Sequence, residues 1–132
     1  MIYTDSIEEL ARALDERVPE KLWHSGMIVS ETYPSEAENL RALATLEPDC
    51  GVCGNAIGIA AGVFPWLLSD WADEQYDHLV ELLNIPRDDA DTLFGMGPLD
   101  VYSHLRRDVR SQDVAAALRR YIAEGPYWRH DQ

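Results

Sequence analysis

Cys50 and Cys53 form the only motif in the 132-residue chain that has the look of a reactive centre. A Cys-x-x-Cys pair at a helix start suits dithiol redox chemistry, because the positive end of a helix lowers a thiol pKa. The apolar run over residues 52–64 reads as a helix, which places the pair at its beginning. Its surroundings point the other way. No strand leads in to complete a thioredoxin-like βαβ unit, and Glu47 and Asp49 oppose thiolate formation. Zinc would need two further ligands, yet His24, His78, His104 and His130 are scattered and no two have zinc-finger spacing. Asp88-Asp89-Ala90-Asp91 lacks the alternating oxygens, glycine and distal Glu of a calcium loop. There is no nucleophile elbow, zinc-protease helix or phosphate loop. His78 and Glu81, three apart, read as a surface pair rather than a general base. No catalytic residue is assigned and no cofactor or metal is expected. A small redox or metal-binding protein using Cys50 and Cys53 stays as an alternative.

The second pattern is electrostatic. Asp70, Asp73, Glu74, Asp77 and Glu81 repeat at helical spacing. At 100° per residue they fall within about 60° either side of one direction. They cover roughly 16 Å of helix axis. That is a charge every 3–4 Å or so, near the ~3.4 Å per charge along one strand of B-DNA. A row of carboxylates is ordinarily a solvated face, but such faces intersperse Lys or Arg, and this stretch has none. Like charges at these offsets cost a few tenths of a kcal/mol per pair. The five acids are therefore read as the partner-binding residues, a negative ridge offered to a basic protein surface.

Charge across the chain agrees with that reading. The formal net charge is -13, and residues 47–100 hold eleven acids against a single base, Arg87. Residues 101–132 reverse the balance with six bases and four acids. A field of this sign repels nucleic acid and anionic lipid and speeds association with basic surfaces. Direct nucleic-acid binding and membrane binding are not expected. The longest apolar run, near residues 56–64, ends at Pro65 and is too short to span a bilayer. The N-terminus shows no signal-peptide pattern, and two cysteines are too few for a disulfide scaffold, so the chain reads as cytoplasmic. Its length fits one domain over residues 1–132.

Helices must position these groups. Ser6 with Glu9 predicts a capped start for a helix carrying Ile7, Leu10, Ala11, Leu14 and Val18, stopped by Pro19. Ser35 with Glu38 predicts a second, with Ala37, Leu40, Leu43 and Ala44 inward and an end near Pro48. Between them Met27-Ile28-Val29 leaves strand and loop both open, so a short extended segment near 27–33 is one option. Gly54, Gly58 and Gly62 lie four apart on the expected central buried helix, where they would admit a neighbouring helix closely. The acidic helix is expected from about Leu68 to Leu83, with Trp71, Leu79, Leu82 and Leu83 opposite the acids. A short helix after Pro86 should bury Leu93 and Phe94 and end at Gly95. A turn or short helix is expected near Leu99 to Leu105. A last helix should be capped by Ser111 and stopped at Gly125-Pro126. The fold class is all-α: five or six short helices around a central Gly/Ala-rich buried helix.

The run Cys50-Gly51-Val52-Cys53-Gly54-Asn55-Ala56-Ile57-Gly58, followed by Leu93-Phe94-Gly95, resembles a loose group of small uncharacterised helical proteins from bacteria and their phages. The likeness covers roughly residues 40–125 and leaves out the acidity. It implies a helical fold and a phage or mobile-element origin, and carries no activity with it. Together with the ridge, it points to a non-enzymatic acidic protein that occupies a basic nucleic-acid-binding surface of a host protein. Such a protein would be an anti-defence inhibitor, for example a nucleic-acid mimic of the anti-CRISPR type. A further alternative is an acidic assembly subunit with no inhibitory role.

Overall fold

Apolar residues recurring at i, i+3, i+4 and i+7 build the first helix, α1 (Thr4–Glu16). The computed structural model describes residues 4–25, 29–30, 35–97 and 100–129. Ile7, Leu10, Ala11 and Leu14 are buried in α1 as their spacing predicts, with Ala13 beside them. The helix begins at Thr4, so Ser6 lies inside it rather than at its cap. Asp5 in the first turn favours the earlier start by facing the positive helix end. The chain then makes a 3-10 turn at Glu20–Leu22, with Pro19 as its cap.

Helix α2 (Glu36–Leu43) starts where the sequence places it. Ser35 Oγ accepts a hydrogen bond from the Glu38 backbone N–H at 3.2 Å. Leu40 and Leu43 are buried, and Ala37 and Ala44 are half-buried. The helix stops short of Pro48, and Leu46 leaves it with a left-handed φ of 57°.

The expected helix start at Cys50 or Cys53 is corrected. Val52–Cys53 is a short strand, β2, antiparallel to β1 (Val29–Ser30), with Val29 opposite Cys53 and Ser30 opposite Val52. This realises the extended option near 27–33; residues 27, 28 and 31–33 lie outside the described residues. Gly54 pairs with Trp23 instead of joining the helix: its N–H donates to the Leu22 carbonyl at 2.7 Å and its own carbonyl accepts from the His24 N–H at 2.9 Å. Only after this ladder does α3 (Ala56–Val63) begin. It is capped by Asn55, whose Oδ1 accepts from the N–H groups of Ile57 and Gly58.

Helix α3 is the central element, with every residue buried except Gly62. It packs against α1, α2 and α4. Gly54 lies off the helix and Gly58 is buried within it, and a close approach of the kind predicted for the glycine row is seen at Gly62. A Cβ there would stand 2.6 Å from Leu46 Cγ and 2.9 Å from the Ala44 carbonyl oxygen. The missing side chain is what lets the end of α2 rest on α3.

A 3-10 turn at Pro65–Leu67 leads to α4 (Ala72–Leu83), then α5 (Arg87–Phe94) and α6 (Ser111–Glu124). Helix α5 ends at Gly95 with φ 70°, and Leu93 and Phe94 are buried, both as expected. The segment before α6 forms a turn near Ser103 and His104 rather than a helix. Helix α6 is capped one residue earlier than predicted. Ser111 is its first residue, and Asp113 reaches back to accept the Arg110 N–H at 2.8 Å. Long contact between α1 and α6 closes the bundle. The fold is all-α, and among the described residues no helix is long and apolar enough to cross a membrane.

Candidate functional site

The acidic face is shorter than its spacing suggests. Helix α4 starts at Ala72, so Asp70 lies in the loop before it, and Trp71 is the extended N-cap residue. The delay has a local cause. Gln75, fully buried, accepts the Ser69 N–H with Oε1 at 3.2 Å and donates from Nε2 to the Ile57 carbonyl at 2.7 Å. Ser69 Oγ accepts the Trp71 N–H in turn. The backbone of residues 69–71 is thereby committed to a loop pinned on α3. Asp73, Glu74, Asp77 and Glu81 remain on α4, all exposed. At 100° per residue they share an arc of about 100°, over about 12 Å of axis.

Two of the five acids are answered from other elements. Arg41 of α2 stands 3.5 Å from Asp70, and Arg87 of α5 pairs with Asp77. Arg87 also reaches Asp91 at 3.3 Å and lies 4.4 Å over the Tyr76 ring. Tyr76 donates to Asp91 at 2.8 Å; burial first, then that bond, holds its phenol far above the ordinary value, so it stays a donor. Asp77 is therefore part of the α4–α5 joint as well as of the face. Glu74 faces His78 at 3.9 Å, so the histidine is placed toward Glu74 rather than the Glu81 of the predicted pair. Asp73 and Glu81 meet no cation among the described residues.

The residue expected opposite the acids, Trp71, is exposed. It stands outside the helix, and the inner face of α4 is made by Gln75, Tyr76, Leu79 and Leu83. Large hydrophobic residues exposed among the described residues are Trp66 (69%), Leu68, Trp71 (61%) and Met96. Three of these four fall within six consecutive residues beside the acidic helix.

The arginine-rich end is turned inward on the chain. Arg119 spans Glu8 at 3.3 Å and Asp15 at 2.9 Å on α1, and Arg107 grips Asp113 with two nitrogens. The Arg107 guanidinium, with the Arg110 N–H, holds the Asp113 carboxyl below the usual carboxylate range. Asp89 is 2% exposed and accepts from Tyr121 and Arg129, each at 2.7 Å, tying α5 to α6 and to the 3-10 turn Tyr127–Arg129. Trp128 stacks on Tyr121 at 5.8 Å. Sequence reasoning placed Asp89 only among acids near a helix start. Its position four before Leu93 and next to Ala90, on the apolar side of α5, is the signal that marks it as buried. Gln75, four before Leu79, carries the same mark.

The cysteines are half-buried and form no disulfide among the described residues. Cys50 Sγ donates to the Val52 carbonyl at 3.4 Å, and Cys53 sits on β2, three residues ahead of α3. Neither occupies the N-terminus of α3, because Asn55 caps it. Among the described residues no group of three or more His, Cys, Asp or Glu side chains could hold a metal ion. A cleft of about 240 Å³ opens beside Trp23, Phe94 and Tyr102. Two of its polar groups serve the chain's own backbone: Trp23 Nε1 donates to the Val109 carbonyl and Tyr102 to the Leu93 carbonyl.

The site is thus an outward acidic helix with an aromatic approach, on a small all-α bundle. No protein-family model, curated protein or solved structure matches the chain.

Proposed function

We propose that this chain is a non-enzymatic acidic binding protein that occupies a basic nucleic-acid-binding surface of a host protein. The supporting observation is the outward arc of α4. Asp73, Glu74, Asp77 and Glu81 are all exposed there, and the helix carries no Lys or Arg. Charge of one sign along a rigid element raises the on-rate toward a surface of the other sign and fixes register. A basic channel built for phosphates offers such a surface, as in the guide-and-target channels of CRISPR-type complexes. Residues 47–100 hold eleven acids and one base, so the field extends beyond the helix. With the phage-like resemblance of residues 50–58 and 93–95, the reading is an anti-defence inhibitor that stands in for nucleic acid.

The test is competition. The purified protein should displace a short DNA duplex from a host nucleic-acid-binding complex, and added salt should weaken the displacement, since screening reaches about 8 Å at physiological strength. Asp73→Lys with Glu81→Lys should abolish it while sparing the fold, because neither acid meets a cation among the described residues. Unchanged displacement by that variant would dismiss α4 as the contact.

A further inference from the structure

We infer that the exposed segment Trp66–Trp71 is the apolar anchor of this interface, and that its partner is a cationic protein surface with an apolar pocket. The inference rests on the reading of α4 as a docking face and says what sits beside the acids. Trp66, Leu68 and Trp71 lie at most about 18 Å apart along the chain. All three are exposed within six consecutive residues, whereas apolar residues exposed singly need no explanation. The segment is also held still. Phe64 and Leu67 are buried on either side of Trp66, the Phe64 ring lies 5.6 Å from the Trp66 ring, and Pro65 opens the 3-10 turn. Gln75 clamps the other end through Ser69. Two tryptophans displayed on a pinned backbone lose little freedom on binding, and tryptophan is enriched among the residues that dominate interface energy.

Charge selects the occupant. Asp70, Asp73 and Glu74 all lie within three residues of Trp71. A second copy would bring the same carboxylates against one another. An anionic lipid surface would be repelled, although Trp and Leu alone would suit it. A protein that places Lys or Arg around an apolar pocket satisfies both halves of the patch. A receptor with cations alone would leave the tryptophans in water, so the surface carries an apolar pocket beside its Lys or Arg.

Two labelled synthetic peptides of equal length and charge test this by fluorescence anisotropy: an amphipathic Lys/Leu helix and a Lys/Ser counterpart. The Lys/Leu peptide should bind at least ten-fold tighter. Trp66→Ser with Trp71→Ser should erase that preference and leave Lys/Ser affinity unchanged. Trp71→Ser alone guards against misfolding, because serine at the α4 N-cap supplies a side-chain cap that the tryptophan does not. It should keep the native circular dichroism and lose part of the preference. Equal affinity for both peptides, or a preference that survives the double variant, overturns the anchor and leaves the acidic-face reading standing. Failure to bind either peptide removes the acidic-face reading and the anchor with it. Tryptophan-dependent dimerisation in sedimentation, or tryptophan-dependent binding to phosphatidylserine vesicles, assigns the patch to another occupant and overturns the inference.

Discussion

The two ends of the molecule treat their charges in opposite ways. Around α6, Arg107, Arg119, Arg120 and Arg129 each reach an acid of the same chain, and Asp89 is drawn fully inside. On α4, Asp73 and Glu81 face outward and meet no cation among the described residues, whereas Asp77 is taken up by a neighbouring element. Both ends are rich in ionisable residues, yet one uses them to join elements and the other leaves them exposed to solvent. Charge density alone therefore does not mark a binding face.

The contrast is broken most sharply at Asp89. Asp89→Ala strands the buried Tyr121 hydroxyl and frees Arg129, so unfolding free energy should fall by about 3 kcal/mol, as for loss of buried bonds to a charged group. Chemical denaturation measures it directly. A loss below about 1 kcal/mol would mean that the carboxylate is as replaceable as the α4 acids. Gly62→Ala comes next. Alanine gains about 1 kcal/mol of helix propensity over glycine. Its Cβ would nonetheless press on the Ala44 carbonyl, which cannot swing aside as the Leu46 side chain can. Overpacking of this kind costs about 1–3 kcal/mol, so a net destabilisation is expected. A more stable variant would show that α2 is loosely seated.

Helix content and the central position of α3 were legible because apolar period and burial run together in Ile7, Leu10, Leu14, Leu79 and Leu83. The boundaries around α3 and α4 were not, and in both cases a long-range backbone partner decided the matter. Gly54 is drawn into pairing with Trp23, which ends the apolar run as strand before it starts as helix. Residues 69–71 are held as loop by Gln75, a bond to a side chain that no periodicity within the segment reveals. The same bond removed Asp70 from the acidic helix and turned Trp71 outward. The acids of α4 itself, from Asp73 to Glu81, stood where their spacing put them. The exposure of Trp71 went unread because it depends on that loop.

Asp113 sharpens the comparison with pH. Its folded-state pKa lies below the usual value, through Arg107 first and the Arg110 N–H after burial is offset. Its contribution is therefore complete above the unfolded carboxylate pKa of about 3.9 and fades as pH falls through the lower folded value. Asp113→Ala should cost about 1 kcal/mol at neutral pH, as a lost helix cap does. The variant and the parent should converge in stability as the pH falls through the folded-state value of Asp113, below the ordinary carboxylate range. Parallel melting curves down to that pH would place the cap elsewhere.

The smallest effect is expected on α4, and it decides whether those acids are free. In Asp73→Lys with Glu81→Lys, each new lysine stands four residues from Asp77, so two repulsive i, i+4 pairs become attractive, at about 0.2–0.5 kcal/mol each. The lysine replacing Asp73 opposes the positive helix start, the one replacing Glu81 suits the negative end, and these two dipole terms nearly cancel. Stability should therefore hold or rise, by up to about 1 kcal/mol, although the formal net charge moves from -13 to about -9 by four unit steps. Relief of general self-repulsion acts in the same direction. A loss greater than about 1 kcal/mol would mean that Asp73 or Glu81 has a structural role of its own. The α4 face would then belong with α6, and a loss of DNA displacement by the same variant could be put down to the fold.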